Sequence, residues 1–468
     1  MSESSWGRKT AGGILWSNAS FLATRAVSLI TLLVLARLLA PSEFGVLAAI
    51  VVYLSLIELW SDLGMNATVV YEQERGVSDR VQTAFTLNLL LAVTLSAAGF
   101  LLAPLIAGFF DMQEHTDLFR LGALNPLLRS AGNIHDSLLL RDMSFRRRVI
   151  PDLIQTAARA VVSIALAVAG LGAESLVLGM LVGTLFWAIV QWKLSPLRPT
   201  FALDFGVVRS MAAYGSGAAA LRVIAAINIR LDAIIVGKVL GERALGLYSV
   251  AFRVPELLLE TVASNISLVA FPALSRKHVT EKEGVAGSAR LLLHFQALYA
   301  LPLATGIAIV GTPMIVVLFG SRWEPAGGVA SAVAVMAGVS SLAFPLGDIF
   351  KAVGKQRVLA LIGITQTPLM IAALVFVAPA GIVAIAWTRV ATSSLHLTIV
   401  TVFCSREVRT PVRYFAGALG PGFAATVGVG LGAGTVRMLW PDLSLLPLLA
   451  ETAAGALGGV LFLRALSP

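Results

Sequence analysis

Charge is what this sequence has least of. Only 13% of its 468 residues are Asp, Glu, Lys or Arg, about half the share usual in a soluble domain. A chain that is also 57% hydrophobic, with a mean hydropathy of +0.86, has too few ionic groups to cover a water-facing surface. Its single cysteine, Cys404, excludes an intrachain disulfide and a cysteine-based metal site. The five histidines, His115, His135, His278, His294 and His396, lack the spacing of metal ligands. No glycine-rich phosphate loop closes on Lys-Ser or Lys-Thr, which excludes ATP hydrolysis by that route. Polar breaks are too short to hold a soluble domain with its own core. The strands of about ten residues with in–out alternation that build a membrane barrel are absent as well.

What the sequence does have is a series of apolar runs of about 20 residues, each long enough to span a bilayer as a helix. Fourteen stretches are expected to be helical: 13–39, 43–64, 81–110, 118–140, 150–170, 175–195, 208–239, 245–275, 288–319, 327–350, 358–377, 379–403, 412–439 and 443–465. The reading is an all-α polytopic membrane protein with about fourteen transmembrane helices. The first stretch follows a short polar start and runs too long for a signal-peptide core, so it is expected to be retained.

The formal charge of +9 does not call for nucleic acid. With the N-terminus inside, 22 of the 35 Lys and Arg fall on the cytoplasmic side, among them Arg8, Lys9, Arg146, Arg147, Arg148, Lys351, Lys355, Arg406 and Arg413. Six fall outside: Arg37, Arg120, Lys238, Arg243, Arg322 and Arg437. This asymmetry obeys the positive-inside rule and puts both termini in the cytoplasm.

The remaining seven basic residues lie within the apolar stretches: Arg25, Arg129, Arg159, Arg222, Arg230, Arg253 and Arg389. A charge at the bilayer centre costs roughly 2.5–3.5 kcal/mol on insertion scales. Seven such residues point to a hydrated interior, and the simplest ligand for a cationic interior is an anion. On stretch 1, Ser17, Asn18, Thr24, Arg25, Ser28 and Thr31 share one helical sector, opposite Leu, Val, Ile and Ala. The alternative for the hydroxyls is a bond to their own backbone or to a neighbouring helix. Stretch 7 carries Arg222, Asn228, Arg230 and Asp232. Arg222 has alanines at i±3 and i±4 and so needs a partner from elsewhere, whereas Arg230 and Asp232, at i and i+2, point apart. Arg253 can pair along its own helix with Glu256. Arg129 and Arg159 can find Asp136, His135 or Asp152 on neighbouring helices, and Arg389 shares a face with Thr392, Ser393 and His396. For these three, an interhelical pair and a ligand contact are equally open. His135-Asp136 is either a proton-coupling pair or an interhelical hydrogen-bonding pair.

The chain also reads as two halves. The junction from Ala36 (Ala-Arg-Leu-Leu-Ala-Pro-Ser-Glu-Phe-Gly-Val-Leu) and that from Gly237 (Gly-Lys-Val-Leu-Gly-Glu-Arg-Ala-Leu-Gly-Leu-Tyr) align Arg37 with Lys238, Leu39 with Leu240 and Gly45 with Gly246. Parallel repeats of this kind are related by an axis along the membrane normal, with the substrate site between them. The expected organisation is residues 1–207 (stretches 1–6), 208–403 (stretches 7–12) and 404–468 (stretches 13 and 14, nearly free of charge between their ends).

Several segments, in order along the chain, resemble the polysaccharide-transporter branch of the multidrug/oligosaccharidyl-lipid/polysaccharide exporter superfamily. They are Leu35-Ala-Arg-Leu-Leu-Ala-Pro-Ser-Glu-Phe-Gly45, Ser61-Asp-Leu-Gly64, Leu231-Asp-Ala-Ile-Ile-Val-Gly-Lys-Val-Leu-Gly241, Tyr248-Ser-Val-Ala-Phe-Arg253, Phe271-Pro-Ala-Leu-Ser-Arg276, Leu318-Phe-Gly-Ser-Arg-Trp323 and Ala352-Val-Gly-Lys355. The resemblance implies two six-helix bundles related by a pseudo-two-fold axis plus two C-terminal helices, and alternating access. It also implies flipping of polyprenyl-diphosphate-linked oligosaccharide for O-antigen, capsule or exopolysaccharide, with no enzymatic step. The implied partners are the lipid-linked oligosaccharide diphosphate and membrane lipid, with a polysaccharide polymerase and export machinery as candidates; nucleic acid is not among them. The arginines of stretches 5 and 12 depart from the family pattern.

Arginine suits such a cargo, because its planar fork pairs bidentately with phosphate and holds its charge in any environment. Arg25, Arg222, Arg253, Arg230, Asn18 and Asp232 are the candidate substrate-binding residues, with a hydrated basic mouth expected between stretches 1, 2, 7 and 8; no cofactor, metal or catalytic residue is expected. Two other readings compete. A cation-coupled multidrug antiporter of the same superfamily should prefer an acidic cavity. A membrane glycosyltransferase or polymerase should bring a large loop or a soluble catalytic segment.

Overall fold

The structure, a computed structural model, describes residues 23–58, 77–142, 144–195, 198, 200–260, 263, 266 and 284–466; within these, the side chains of 77–80, 145, 207, 209–227, 260, 284, 285, 465 and 466 are left aside. Helices and turns make up the described residues, and no strand occurs among them. Among the described residues, the longer helices are α1 (residues 23–38), α2 (Pro41–Glu58), α3 (Val77–Phe109), α4 (Asn125–Arg141), α5 (Phe145–Val168), α6 (Ala173–Leu194), α7 (Phe205–Ala251), α8 (Gly284–Phe319), α9 (Gly327–Ser341), α10 (Ala343–Ala352), α11 (Gln356–Val377), α12 (Ile382–Glu407), α13 (Gly420–Leu439) and α14 (Leu445–Leu466), with short helical turns at Thr116–Gly122 and Val412–Ala416. Ten stretches of the described residues are long and apolar enough to cross a membrane, and the protein is a multi-pass membrane protein. Each of the fourteen expected stretches contains helix; among the described residues, stretch 8 holds the end of α7, the short turn Arg253–Pro255 and a π-helical turn at Glu256–Glu260.

Local chemistry sets the helix boundaries. Pro41 opens α2, where its missing N–H costs nothing. The Glu43 carboxylate reaches back to the Ala40 N–H, the reciprocal half of a capping box. Gly172 precedes α6 at φ +55°, and a Cβ there would stand 2.5 Å from a Glu43 carboxylate oxygen. Only glycine fits both that backbone and that space.

The chain divides into two compact units, Met1–Arg230 and Leu231–Pro468, and the division falls inside α7. In the first unit α6 is the hub: α5, α4 and α2 all pack on it, and α3 packs on α4. Gly132 of α4 lies under the Trp187 ring of α6, where a Cβ would come within 2.4 Å of the indole. In the second unit α8 and α9 run together, α12 packs on α9, α10 and α11, and the α13–α14 pair packs on α8.

Lipid supplies no hydrophobic drive for helices to associate, so small residues that admit close backbone approach carry much of the packing. The α13–α14 contact is the extreme case. A Cβ on Gly428 would stand 2.3 Å from the Gly458 carbonyl oxygen, and one on Gly432 would stand 2.1 Å from that of Ala454. Between their ends, stretches 13 and 14 carry one charge, Glu451. Glu451 of α14 is fully buried, 3.5 Å from Arg437 of α13.

Gly428→Ala is therefore expected to force the two backbones apart, an overpacking cost of roughly 1–3 kcal/mol. Gly430→Ala, two residues on with open space around it, is expected to be neutral. Thermal unfolding of the purified variants in detergent checks the contrast; equal melting points would refute the contact.

Candidate functional site

The second unit holds its charge cluster at a break in α7. Gly241 adopts φ +82°, ψ −178° inside the helix, a conformation that L side chains rarely take. The second arm of α7 then turns back beside the first, and the Tyr248 hydroxyl donates to Asp232 Oδ2 at 3.0 Å across sixteen residues of sequence. The other carboxylate oxygen accepts from the Ala233 N–H at 2.9 Å. Asp232 is almost completely buried, its side chain 5% exposed. Its counter-charge is Arg389 of α12, whose Nε lies 3.4 Å from Oδ2 and whose side chain is 18% exposed. Arg389 Nη1 is turned to the Met370 sulfur of α11, 2.7 Å away. Two turns further along α12, His396 Nδ1 meets Gln366 Oε1 of α11 at 2.6 Å. Between them Thr392 and Ser393 continue the same face at i+3 and i+4.

The first unit has a separate network on α4, α5 and α6. Arg148 grips Asp136 bidentately, Nε to Oδ1 at 2.9 Å and Nη2 to Oδ2 at 3.0 Å, and Gln191 donates to the same Oδ1 at 3.3 Å. Trp187 donates its indole N–H to Asp152 at 3.0 Å, and Arg129 stands over the Trp187 ring at 4.8 Å, within cation–π reach. His135 points away from this network: it is buried against Trp192, ring centroids 4.6 Å apart, with neither ring nitrogen hydrogen-bonded. Adjacent in sequence, His135 and Asp136 thus face different surroundings.

Among the expected site residues, Arg25 is exposed on α1, and Ser28 and Thr31 bond the carbonyls four residues back at 2.8 and 2.7 Å. Those two hydroxyls follow the backbone-bonded alternative. Asn18, Ser17 and the Arg222 side chain lie outside the described residues. Arg230 is half-buried and, with Arg129, acts electrostatically on the Glu58 carboxylate at the end of α2. Arg253 is exposed and lies 3.9 Å from Glu256, one turn along its own helix. Of the four whose side chains are described, Asp232 stands in the cluster with Arg389 and Tyr248. Sequence reasoning missed Tyr248 and Glu58 as partners of charges. The available signal for Tyr248 was Gly241 lying between it and Asp232 in two adjacent motifs.

The α11–α12 face with Asp232 can hold one guanidinium against one carboxylate in low dielectric and offers further polar groups along a strip.

Comparison with known proteins follows the geometry. A family model described as polysaccharide biosynthesis protein matches residues 34–327. The succinoglycan biosynthesis transport protein ExoT of Rhizobium meliloti (strain 1021) is 26% identical over 347 residues, 74% of this chain and 69% of that protein. The lipopolysaccharide biosynthesis protein WzxC of Escherichia coli (strain K12) is 24% identical over 372 residues, 78% of this chain and 75% of that one. Among solved structures, the lipid II flippase MurJ in its inward closed conformation superposes with a TM-score of 0.78 at 14% identity, covering 96% of this chain and 98% of that one. An inward-facing multidrug-resistance MATE transporter of the MOP superfamily gives 0.67 at 12% identity, covering 82% and 94%. The fold is that of these transporters, and with more than half of its length under the family model, the chain belongs to the polysaccharide biosynthesis protein family.

Proposed function

We propose that this protein translocates polyprenyl-diphosphate-linked oligosaccharide across the bacterial inner membrane by alternating access, for O-antigen, capsule or exopolysaccharide assembly. The observation that carries the reading is the family match over residues 34–327 together with a relative named as a succinoglycan biosynthesis transport protein. Chemistry supports it. A diphosphate brings about two negative charges beside a sugar that hydrocarbon rejects, and intramembrane arginines can bind it bidentately. In this reading Arg25, Arg222, Arg230, Arg253 and Asn18 serve the headgroup, the first two as its main ligands, and Asp232 is the acid of the same site. The six-plus-six-plus-two organisation of the chain and its cytoplasmic termini belong to the same proposal, as does work alongside a polymerase and export machinery.

The multidrug-antiporter reading draws on the MATE likeness in fold. Against it stands the charge: a cationic drug needs an open acid, and Asp232 already faces Arg389.

Arg25→Ala and Arg222→Ala are each expected to abolish polymer export while the protein inserts at the normal level. Lysine at either position should rescue only in part, since it keeps the charge and loses the fork. Export assays in a deletion strain, normalised to membrane abundance, check this, and wild-type export by both alanine variants would refute the anion site.

The topology makes a second expectation. On a Cys404→Ser background, single cysteines at 114 and 322 should react with an impermeant thiol reagent from outside. Cysteines at 147 and 279 should react only after permeabilisation. Reversal of either pair would overturn the orientation.

A further inference from the structure

The second unit contains an intramembrane cation that is matched in charge yet poorly coordinated. A guanidinium carries five N–H donors. The Arg389–Asp232 pair closes at 3.4 Å through Nε, which makes no hydrogen bond. Among the described residues, the guanidinium's hydrogen bond runs from Nη1 to the Met370 sulfur, and a thioether is a weak acceptor. Arg148–Asp136 shows the same two groups fully aligned: two parallel bonds at 2.9 and 3.0 Å. In low dielectric, a mismatched pair of this kind gives up little hydrogen bonding when it opens, provided that neither charge is left alone.

Both charges have somewhere to go. Asp232 keeps the Tyr248 hydroxyl and the Ala233 N–H if Arg389 leaves. Arg389, partly exposed, heads a polar strip formed by Thr392, Ser393 and His396 with Gln366 opposite, about 10 Å long at the helical rise. A phosphate group arriving on that strip would offer the fork the oxygen acceptors that Met370 does not.

We propose that Asp232 is the resident counter-anion of Arg389, and that Arg389 is a second-unit ligand for the cargo diphosphate, which displaces Asp232 when it binds. Asp232 then acts as an internal competitor: it keeps Arg389 compensated in the empty carrier and lowers apparent affinity in proportion to the time the pair is closed. The inference rests on the flippase reading and adds a ligand and a competitor to it.

The test uses the full chain in nanodiscs, with farnesyl diphosphate as the probe and phosphatidylglycerol and inorganic pyrophosphate as competitors. Asp232→Asn is expected to tighten farnesyl diphosphate binding about tenfold by removing the competitor. Arg389→Gln should weaken binding by at least as much. The double swap Asp232→Arg with Arg389→Asp should recover thermal stability and leave binding lost. If Asp232→Asn fails to insert, Tyr248→Phe reads the same exchange: the carboxylate then keeps only the Ala233 N–H besides Arg389, leans harder on the guanidinium, and affinity falls. Unchanged affinity in Asp232→Asn or Arg389→Gln, both folded, makes the pair architectural and overturns the proposal. Recovery of binding by the swap does the same. Equal competition by phosphatidylglycerol overturns the assignment to cargo in favour of bulk lipid, and equal competition by pyrophosphate leaves the diphosphate as the recognised group. Separately, wild-type protein that moves no lipid-linked cargo in vesicles would sink the flippase reading. Binding that ignores Asp232 sinks only the exchange.

Discussion

A charge inside a bilayer must meet an opposite charge or a polarisable partner, and much of this structure follows from that requirement. The desolvation of an isolated ion in hydrocarbon is too costly for a helix to carry it alone. Among the described residues, charges within the apolar stretches and at their ends are compensated in three ways besides the Arg389–Asp232 pair. Arg148 and Asp136 form a full bidentate pair between α5 and α4. Arg437 and Glu451 tie α13 to α14 with the acid fully buried. Arg129 uses the π face of Trp187, whose N–H in turn serves Asp152. Since each arrangement joins different helices, the need for compensation also fixes which helices must stay together and in what register.

Such register is only as good as the backbone packing beneath it. The seat for Trp187 is Gly132, where no side chain would fit under the ring. A displaced indole would lose Asp152 and carry Arg129 with it, so one glycine sets the position of three functional groups. On α5 and α6 the same holds at Gly179 and Gly183, which face the backbone of Arg159 and Gln155 within about the contact distance of bare helices. Small residues bring the helices close, and the ionic groups then choose among the close arrangements.

The fold was largely legible because a membrane makes helix the only economical answer for an apolar run. Stretch 2 was placed from residue 43, two residues inside the Pro41 start of α2, and Gly172, Gly320 and Gly381 stand at the turns where stretches end. Arg253–Glu256 was readable as an i, i+3 pair, and the argument that Arg230 and Asp232 point apart agrees with Asp232 turning to Arg389 and Tyr248. What the sequence could not show was who meets whom across helices. Asp232 was noticed beside Arg222 and Arg230 on its own helix, whereas its guanidinium comes from α12. That choice depends on the rotation of α12 about its axis, and α12 has polar groups on one face but no strong periodic stripe to declare it. Glu451 escaped notice for a related reason: a single acid in an apolar stretch looks like a boundary residue until its partner on the neighbouring helix is known.

The contrast between Asp136 and Asp232 separates two uses of the same chemistry. Asp136 spends both oxygens on one arginine, and Gln191 adds a further donor, so opening that site would break several strong bonds at once. Asp232 distributes its oxygens over a tyrosine, a backbone N–H and a loosely aligned guanidinium. It can lose the last and remain hydrogen-bonded. For a carrier of a multiply charged anion this asymmetry matters. An arginine locked as Arg148 is would hold helices and ignore cargo, while an arginine with no acid nearby would leave a bare charge in the empty state. An arginine held by a replaceable acid avoids both, because the site stays near neutrality whether the anion present is the protein's own or the ligand's. On the proposed function, the cost of carrying a cation through hydrocarbon is thereby spread over the whole transport cycle instead of falling on the empty carrier.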